Sequence, residues 1–180
     1  MPSVLLPLAN GSEDLEAITV LNILRRAGIE AISASLDGQA IRGSRGTVIV
    51  PDTSLEEALK RDFDMVVLPG GQPGTKNLKA DPRIIRLVQE MHAKDRYLCA
   101  ICAAPSILAT AGLLDGKRAT SFPGALDGFP HTSQQPQAVV EDGKIITSRG
   151  PGTTMDFALT LVERLSGKAK RDEVEAGLVR

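Results

Sequence analysis

Two cysteines stand three residues apart, Cys99 and Cys102, and their settings differ. Cys102 follows the apolar run Tyr97-Leu98-Cys99-Ala100-Ile101 and precedes Ala103-Ala104-Pro105-Ser106-Ile107-Leu108-Ala109. The first stretch predicts a strand and the second a helix, with Pro105 tolerable only in its first turn. The thiol therefore falls on a sharp strand-to-helix corner among small residues, the geometry of a nucleophile elbow with sulfur as the attacking atom. A thiol facing the first free N–H groups of a helix is biased toward thiolate by their partial positive charge.

The C-x-x-C spacing also raises redox and zinc readings. A zinc site needs about four ligands, and the only histidines, His92 and His131, lack ligand-like spacing. A thioredoxin-type dithiol opens a helix with both cysteines, whereas Cys99 falls inside the predicted strand as a buried small hydrophobe.

Other residues have the chemistry to serve such a sulfur. Glu16 lies on the first turns of a predicted helix beside Leu15 and Ala17. A buried carboxyl there stays protonated, donates to a thiolate and shuttles a proton as a general acid/base. Its bland alternative is a solvated carboxylate near a helix N-terminus, which is how Glu13 and Asp14 read. Gly70-Gly71 ends a strand as an ordinary turn or aims a backbone N–H at an oxyanion, and Ala103 offers a second donor. Arg45 and Arg149 are loop arginines suited to an anion, an interface or plain solvent. Gly150-Pro151-Gly152-Thr153 opens the last long helix. His92 reads as a surface or packing residue on a helix, and His131 lies in a Pro/Gly-rich loop.

These groups need elements to hold them. Val4–Leu8 predicts a first strand. Asn10 and Glu13 stand at capping-box spacing before a helix whose apolar residues Leu15, Ile18, Leu21 and Leu24 recur at helical period, ending at Gly28. Ile29–Leu36 predicts a second strand and Ile41–Val50 an irregular hairpin. Leu55–Lys60 predicts a short helix, Met65–Leu68 a third buried strand, and Asp81-Pro82 opens a helix through His92. Lys117–Phe122 and Ala138–Thr147 predict shorter strands, the latter turning at Asp142-Gly143. Thr153–Leu165 and a polar tail from Lys168 predict the final helices. Strands spaced by helices imply a mostly parallel sheet covered on both faces. Gly11–Glu16, Pro69-Gly70-Gly71 and Cys102 all follow strands, so they converge at the carboxyl ends, where ligands bind in open α/β sheets.

With 180 residues, 42% hydrophobic content and a formal net charge of −1, the chain reads as one domain over residues 1–180. Scattered lysines and arginines give no nucleic-acid stripe. The apolar runs are too short to span a bilayer, and the first residues lack the shape of a signal peptide, so a cytoplasmic protein is expected.

The ordered stretches Gly11-Ser12-Glu13-Asp14-Leu15-Glu16, Arg25-Arg26-Ala27-Gly28-Ile29, Gly43-Ser44-Arg45-Gly46, Val67-Leu68-Pro69-Gly70-Gly71, Ala100-Ile101-Cys102-Ala103-Ala104-Pro105 and Thr147-Ser148-Arg149-Gly150-Pro151-Gly152-Thr153 span nearly the whole chain. Together they resemble the ThiJ/PfpI superfamily, nearest its Parkinson-disease deglycase and YajL-like branch. The resemblance implies a flavodoxin-like α/β sandwich that forms homodimers. It also implies that Cys102 is a reactive, oxidation-sensitive cysteine, that Glu16 is a protonated partner, and that Gly71 and Ala103 are donors around the sulfur. Arg45 would lie near a dimer interface. Ala103 stands where the peptidase branch carries histidine, so no protease is implied. Phe122 before Pro123 stands where some members carry histidine, so the resemblance supplies no Cys–His dyad.

Two functions are then expected. The first is a cofactor- and metal-independent glyoxalase III or deglycase, in which Cys102 attacks methylglyoxal or an early adduct of a glycated amine or thiol and lactate is released. The second is a redox-responsive stress protein or chaperone dimer whose Cys102 oxidises to sulfinate, held by Glu16 and the two N–H groups.

Overall fold

The structure, a computed structural model, describes residues 1–180. In chain order, β1 (Ser3–Leu8) leads to α1 (Asp14–Arg26) and β2 (Glu30–Ser35). The short strands β3 (Ile41–Arg42), β4 (Val48–Ile49) and β5 (Thr53–Ser54) follow, then α2 (Leu55–Ala58) and β6 (Met65–Leu68). Next come α3 (Gly74–Ala80), α4 (Pro82–Ala93), β7 (Tyr97–Ile101) and α5 (Pro105–Thr110). After β8 (Arg118–Ala119), β9 (Ser133–Gln134), β10 (Val139–Asp142) and β11 (Ile145–Ser148), the chain ends in α6 (Thr154–Ser166) and α7 (Lys168–Gly177).

The main sheet runs β10-β11-β7-β6-β1-β2-β5. Every neighbouring pair is parallel except β10 with β11, which turns back through Gly143. The five longer parallel strands, taken in chain order, stand as 2-1-3-4-5, the flavodoxin-like winding. Central strands have side chains buried on both faces, which is why β1 and β6 read as unbroken apolar runs. One face packs Val4, Leu6, Val67, Cys99 and Ile101 under α1 and α6. The other packs Leu5, Val66, Leu68, Leu98 and Ala100 under α4 and α5. No helix is long and apolar enough to cross a membrane.

Several details differ from the sequence expectation. Glu13, not Asn10, caps α1 by accepting from the Leu15 amide, while Asn10 Oδ1 accepts from Arg42 N. Within α1 the buried stripe is Ala17, Val20, Leu21 and Leu24, leaving Leu15 and Ile18 exposed. The helix α3 carries no apolar periodicity and starts at Gly74, directly behind Pro73, so nothing in its pattern announces it. Lys117–Phe122 yields only the two residues of β8. Beyond Cys102 the helix begins at Pro105 rather than Ala103, leaving a turn between strand and helix.

Candidate active site

The switch in winding falls between β1 and β6, and the segments leaving their carboxyl ends meet the one leaving β7. Cys102 occupies the first position past β7 with φ +63°, the left-handed region that a side chain rarely adopts. Hydrogen bonds on both sides hold it there. Its N–H donates to Ser148 O at 3.0 Å, and its carbonyl accepts from Phe122 N at 2.8 Å. Such strain persists only where surrounding structure over-determines it. The residue is 9% exposed.

Glu16 reaches the same point from α1 and is fully buried. Its Oε2 accepts from Gly70 N at 2.8 Å, while its Oε1 has no hydrogen-bond partner. A buried carboxylate oxygen without a donor is costly, so the ionised form is disfavoured. Burial accordingly pushes the Glu16 carboxyl up to about 7, with Glu13 adding to the rise and the Gly70 N–H and Cys102 opposing it.

Gly70 is the joint between acid and thiol. A Cβ there would lie 2.6 Å from Cys102 Cβ and 3.0 Å from Glu16 Oε2, so only glycine lets the two approach. Gly71 has φ +86°, and a Cβ on it would lie 2.4 Å from Glu13 N. The N–H groups of Gly71 and Ala103 face the sulfur and lower its pKa, but burial, followed by the charge of Glu16, pushes the thiol up to about 12. The expectation that a helix N-terminus alone holds the sulfur ionised is therefore not met: α5 starts three residues away and burial prevails. Acid and thiol instead form one coupled unit that loses its first proton near neutrality, with the two N–H groups easing negative charge on sulfur.

The neighbouring acids also depart from expectation. Glu13 and Asp14, expected in solvent, are 7% and 5% exposed. Glu13 accepts from Ser44 Oγ at 2.8 Å, and Asp14 accepts from Arg45 N and Thr47 N at 3.2 and 3.1 Å. Although burial opposes it, the donors of Thr47 and Arg45 hold Asp14 below the ordinary carboxylate value. The hairpin of β3 and β4 is thus stitched to the start of α1. The signal was the run Gly43-Ser44-Arg45-Gly46, whose turn presents donors to acids distant in sequence.

Arg45 sits at the tip of that hairpin, its side chain 81% exposed and 3.9 Å from Glu13. Arg149 directly follows β11 beside the elbow and forms no ion pair. Pro151 opens a short 3-10 turn, Pro151–Thr153, whose Thr153 Oγ1 lies 2.7 Å from Ser148 Oγ. His92 lines a groove with Asp95, Arg96 and Tyr97 at the amino end of β7, opposite Cys102. His131 offers only its carbonyl, to Gly116 N. Phe122, which sequence reasoning treated only as the absence of a histidine, is tied to the elbow backbone itself.

Comparison with known proteins adds a lineage to this geometry. The model of the DJ-1/PfpI family matches residues 2–164. Protein DJ-1 homolog A of Arabidopsis thaliana is 41% identical over 98% of the chain, and the chain spans 46% of that relative's length. The crystal structure of Drosophila melanogaster DJ-1beta superposes with a TM-score of 0.96 at 41% identity, covering 99% of this chain and 97% of that one. A Caenorhabditis elegans protein named glutathione-independent glyoxalase DJR-1.2 is 31% identical over 95% of this chain and 91% of its own.

Proposed function

The chain belongs to the DJ-1/PfpI family, and on that premise we propose that it is a glutathione-independent glyoxalase III that converts methylglyoxal, or an early glycation adduct of it, to lactate. The observation that carries the reading is the fully buried Glu16, held on Gly70 N and coupled to the Cys102 thiol at a strained elbow. The name of the Caenorhabditis elegans relative supports the reaction class.

In this mechanism the single negative charge of the pair is placed on sulfur as it attacks the aldehyde carbon. A C–S bond forms as the C=O π pair moves onto oxygen, and that oxygen takes the proton held by Glu16 to give the hemithioacetal and a Glu16 carboxylate. The N–H groups of Gly71 and Ala103, which already favour charge on sulfur, steady the developing oxyanion in this reading. The Glu16 carboxylate then takes the proton from the former aldehyde carbon to give an enediolate. The hydroxyl proton passes from the first oxygen to the second, and Glu16 returns its proton to the neighbouring carbon as the C=O of the thioester forms. Water cleaves the thioester, releasing lactate and the thiol. No step calls on a metal or organic cofactor.

A homodimer fits the exposed apolar side chains Leu15 and Ile18 of α1 and Val48 and Val50 of the hairpin, with Arg45 alongside. Light scattering reads this directly. The same N–H donors would also hold a Cys102 sulfinate, the redox-sensor reading. The deciding experiment measures lactate from methylglyoxal without glutathione for wild type, Cys102→Ser and Glu16→Gln, repeated with a glycated amine. Loss of lactate in Cys102→Ser supports the enzyme. Unchanged turnover in that variant rejects the mechanism, and selective sulfinate at Cys102 with negligible wild-type turnover supports the sensor.

A further inference from the structure

We propose that the Phe122 ring is the specificity element of the Cys102 site, favouring carbonyl electrophiles that carry an apolar or aromatic substituent over small polar ones. For its natural substrate class, apolar 2-oxoaldehydes, the inference rests on the glyoxalase reading.

Three observations carry it. Phe122 is 51% exposed and is the one aromatic among the large apolar side chains left in solvent. Its backbone is bound into the elbow: its N–H donates to Cys102 O at 2.8 Å, and its carbonyl accepts from the buried Ser121 Oγ at 2.9 Å. Its ring is also located, since a Cβ on Gly150 would lie 3.5 Å from Phe122 Cδ2. The ring therefore stands over the glycine that follows the strand next to β7. A half-exposed aromatic whose backbone is bound to the elbow that carries Cys102 costs little ordering entropy when a ligand packs on it.

The surroundings agree. Ala103 is partly exposed, and Pro123 and Pro151 are exposed, so the residues flanking Phe122 and the elbow add apolar surface without side-chain donors. Of the other exposed large apolar residues, Leu15, Ile18, Val48 and Val50 cluster on α1 and the hairpin, where they suit a protein partner. Because the ring touches the substituent and not the reacting atoms, it binds ground and transition states alike, and its contribution falls on KM more than on kcat.

The test compares wild type, Phe122→Ala and Phe122→Tyr with phenylglyoxal and methylglyoxal, reading formation of the 2-hydroxy acid. A second readout needs no turnover: alkylation of Cys102 by phenacyl bromide against iodoacetamide, followed by mass spectrometry. In both reagents the sulfur displaces halide and the thiol proton goes to solvent. In Phe122→Ala the phenylglyoxal-to-methylglyoxal ratio of kcat/KM falls about three- to tenfold, the range one aromatic contact supplies, mostly through KM. The alkylation ratio falls alongside it, and Phe122→Tyr retains both. An unchanged ratio in Phe122→Ala, or an equal fall with both reagents, overturns the proposal. If wild type turns over neither aldehyde, the glyoxalase reading fails, and the alkylation ratio still decides whether Phe122 selects what reaches Cys102.

Discussion

Cys99 and Cys102 lie within one segment, yet one is a piece of the core and the other stands at the strand end where the proposed reaction would take place. Cys99 sits in mid-strand, in register with Val67 of β6 and Ile146 of β11. It is fully buried, and burial, with Glu141 adding, raises its thiol well above 9.0. Around it the backbone N–H groups are used by the sheet, so none is free to stabilise charge. Past the strand end the ladder stops, and the N–H groups of Gly71 and Ala103 turn toward the Cys102 sulfur. What separates the two thiols is the set of backbone donors released where the sheet ends, and the acid brought against them.

The largest effect that sharpens the contrast is Cys102→Ser. A hydroxyl with the same surroundings is a far poorer nucleophile, so lactate formation should fall by about a thousandfold or more. Lactate assay on the folded variant checks this, with the urea midpoint confirming the fold.

Glu16→Gln comes next and separates activity from stability. The amide cannot shuttle a proton, so turnover should fall by about 10²- to 10⁴-fold. In wild type, kcat/KM should rise with pH through about 7 as the pair loses its first proton, and the variant should lack that inflection. Stability moves the other way. The folded protein keeps the Glu16 proton to about pH 7, whereas the unfolded chain releases it near the ordinary 4.5. Between those values the unfolded state binds fewer protons, so wild-type stability falls as pH rises and stays lowered above 7. The interval corresponds to about 3 kcal/mol, so Glu16→Gln should gain that much relative to wild type between about pH 4 and pH 8. Urea unfolding at both pH values measures it, and parallel pH curves for the two proteins would show that Glu16 is not held neutral.

Gly70→Ala attacks the joint. Its Cβ would meet Cys102 Cβ at 2.6 Å and Ile101 O at 2.9 Å, so acid or thiol must move. Overpacking of this kind costs about 1–3 kcal/mol, and a misplaced pair should lose about ten- to a hundredfold in turnover. At Gly128 an added Cβ meets nothing within 4 Å, so Gly128→Ala should stay within about 0.5 kcal/mol and keep full activity.

Sequence reading reached this site because convergence at the carboxyl ends of parallel strands follows from chain order alone. Glu16, Gly71, Cys102 and Ala103 are brought together as winding around β1, β6 and β7 requires. What stayed hidden depends on distances in space. Glu13 and Asp14 read as surface acids because their partners, Ser44, Arg45 and Thr47, come from a hairpin about thirty residues on. The burial that raises the Cys102 thiol opposes the local helix-terminus argument, and no window of residues around the cysteine reports it. Likewise α3 lacks apolar periodicity because it leans on Gly11 and Ser12 with a glycine: a Cβ at Gly74 would lie 2.2 Å from Ser12 N.

The smallest effect tests the other half of the comparison. Cys99→Ser places a hydroxyl in a strand interior where neighbouring side chains are apolar and the ladder occupies the backbone, so the new group goes unpartnered. An unsatisfied buried hydroxyl costs about 1–3 kcal/mol, whereas Cys99→Ala leaves only a small void at about 1 kcal/mol. Both variants should keep wild-type lactate formation and the wild-type rate of Cys102 alkylation, because no hydrogen bond of the elbow passes through the Cys99 side chain. The ordering Ser below Ala below wild type in urea midpoint, with turnover flat across all three, would mark Cys99 as packing and nothing else. If Cys99→Ser instead lost turnover as Cys102→Ser does, the two sulfurs would have to act together. The C-x-x-C pair would then be a dithiol, and strand interior against strand end would no longer be the distinction that matters.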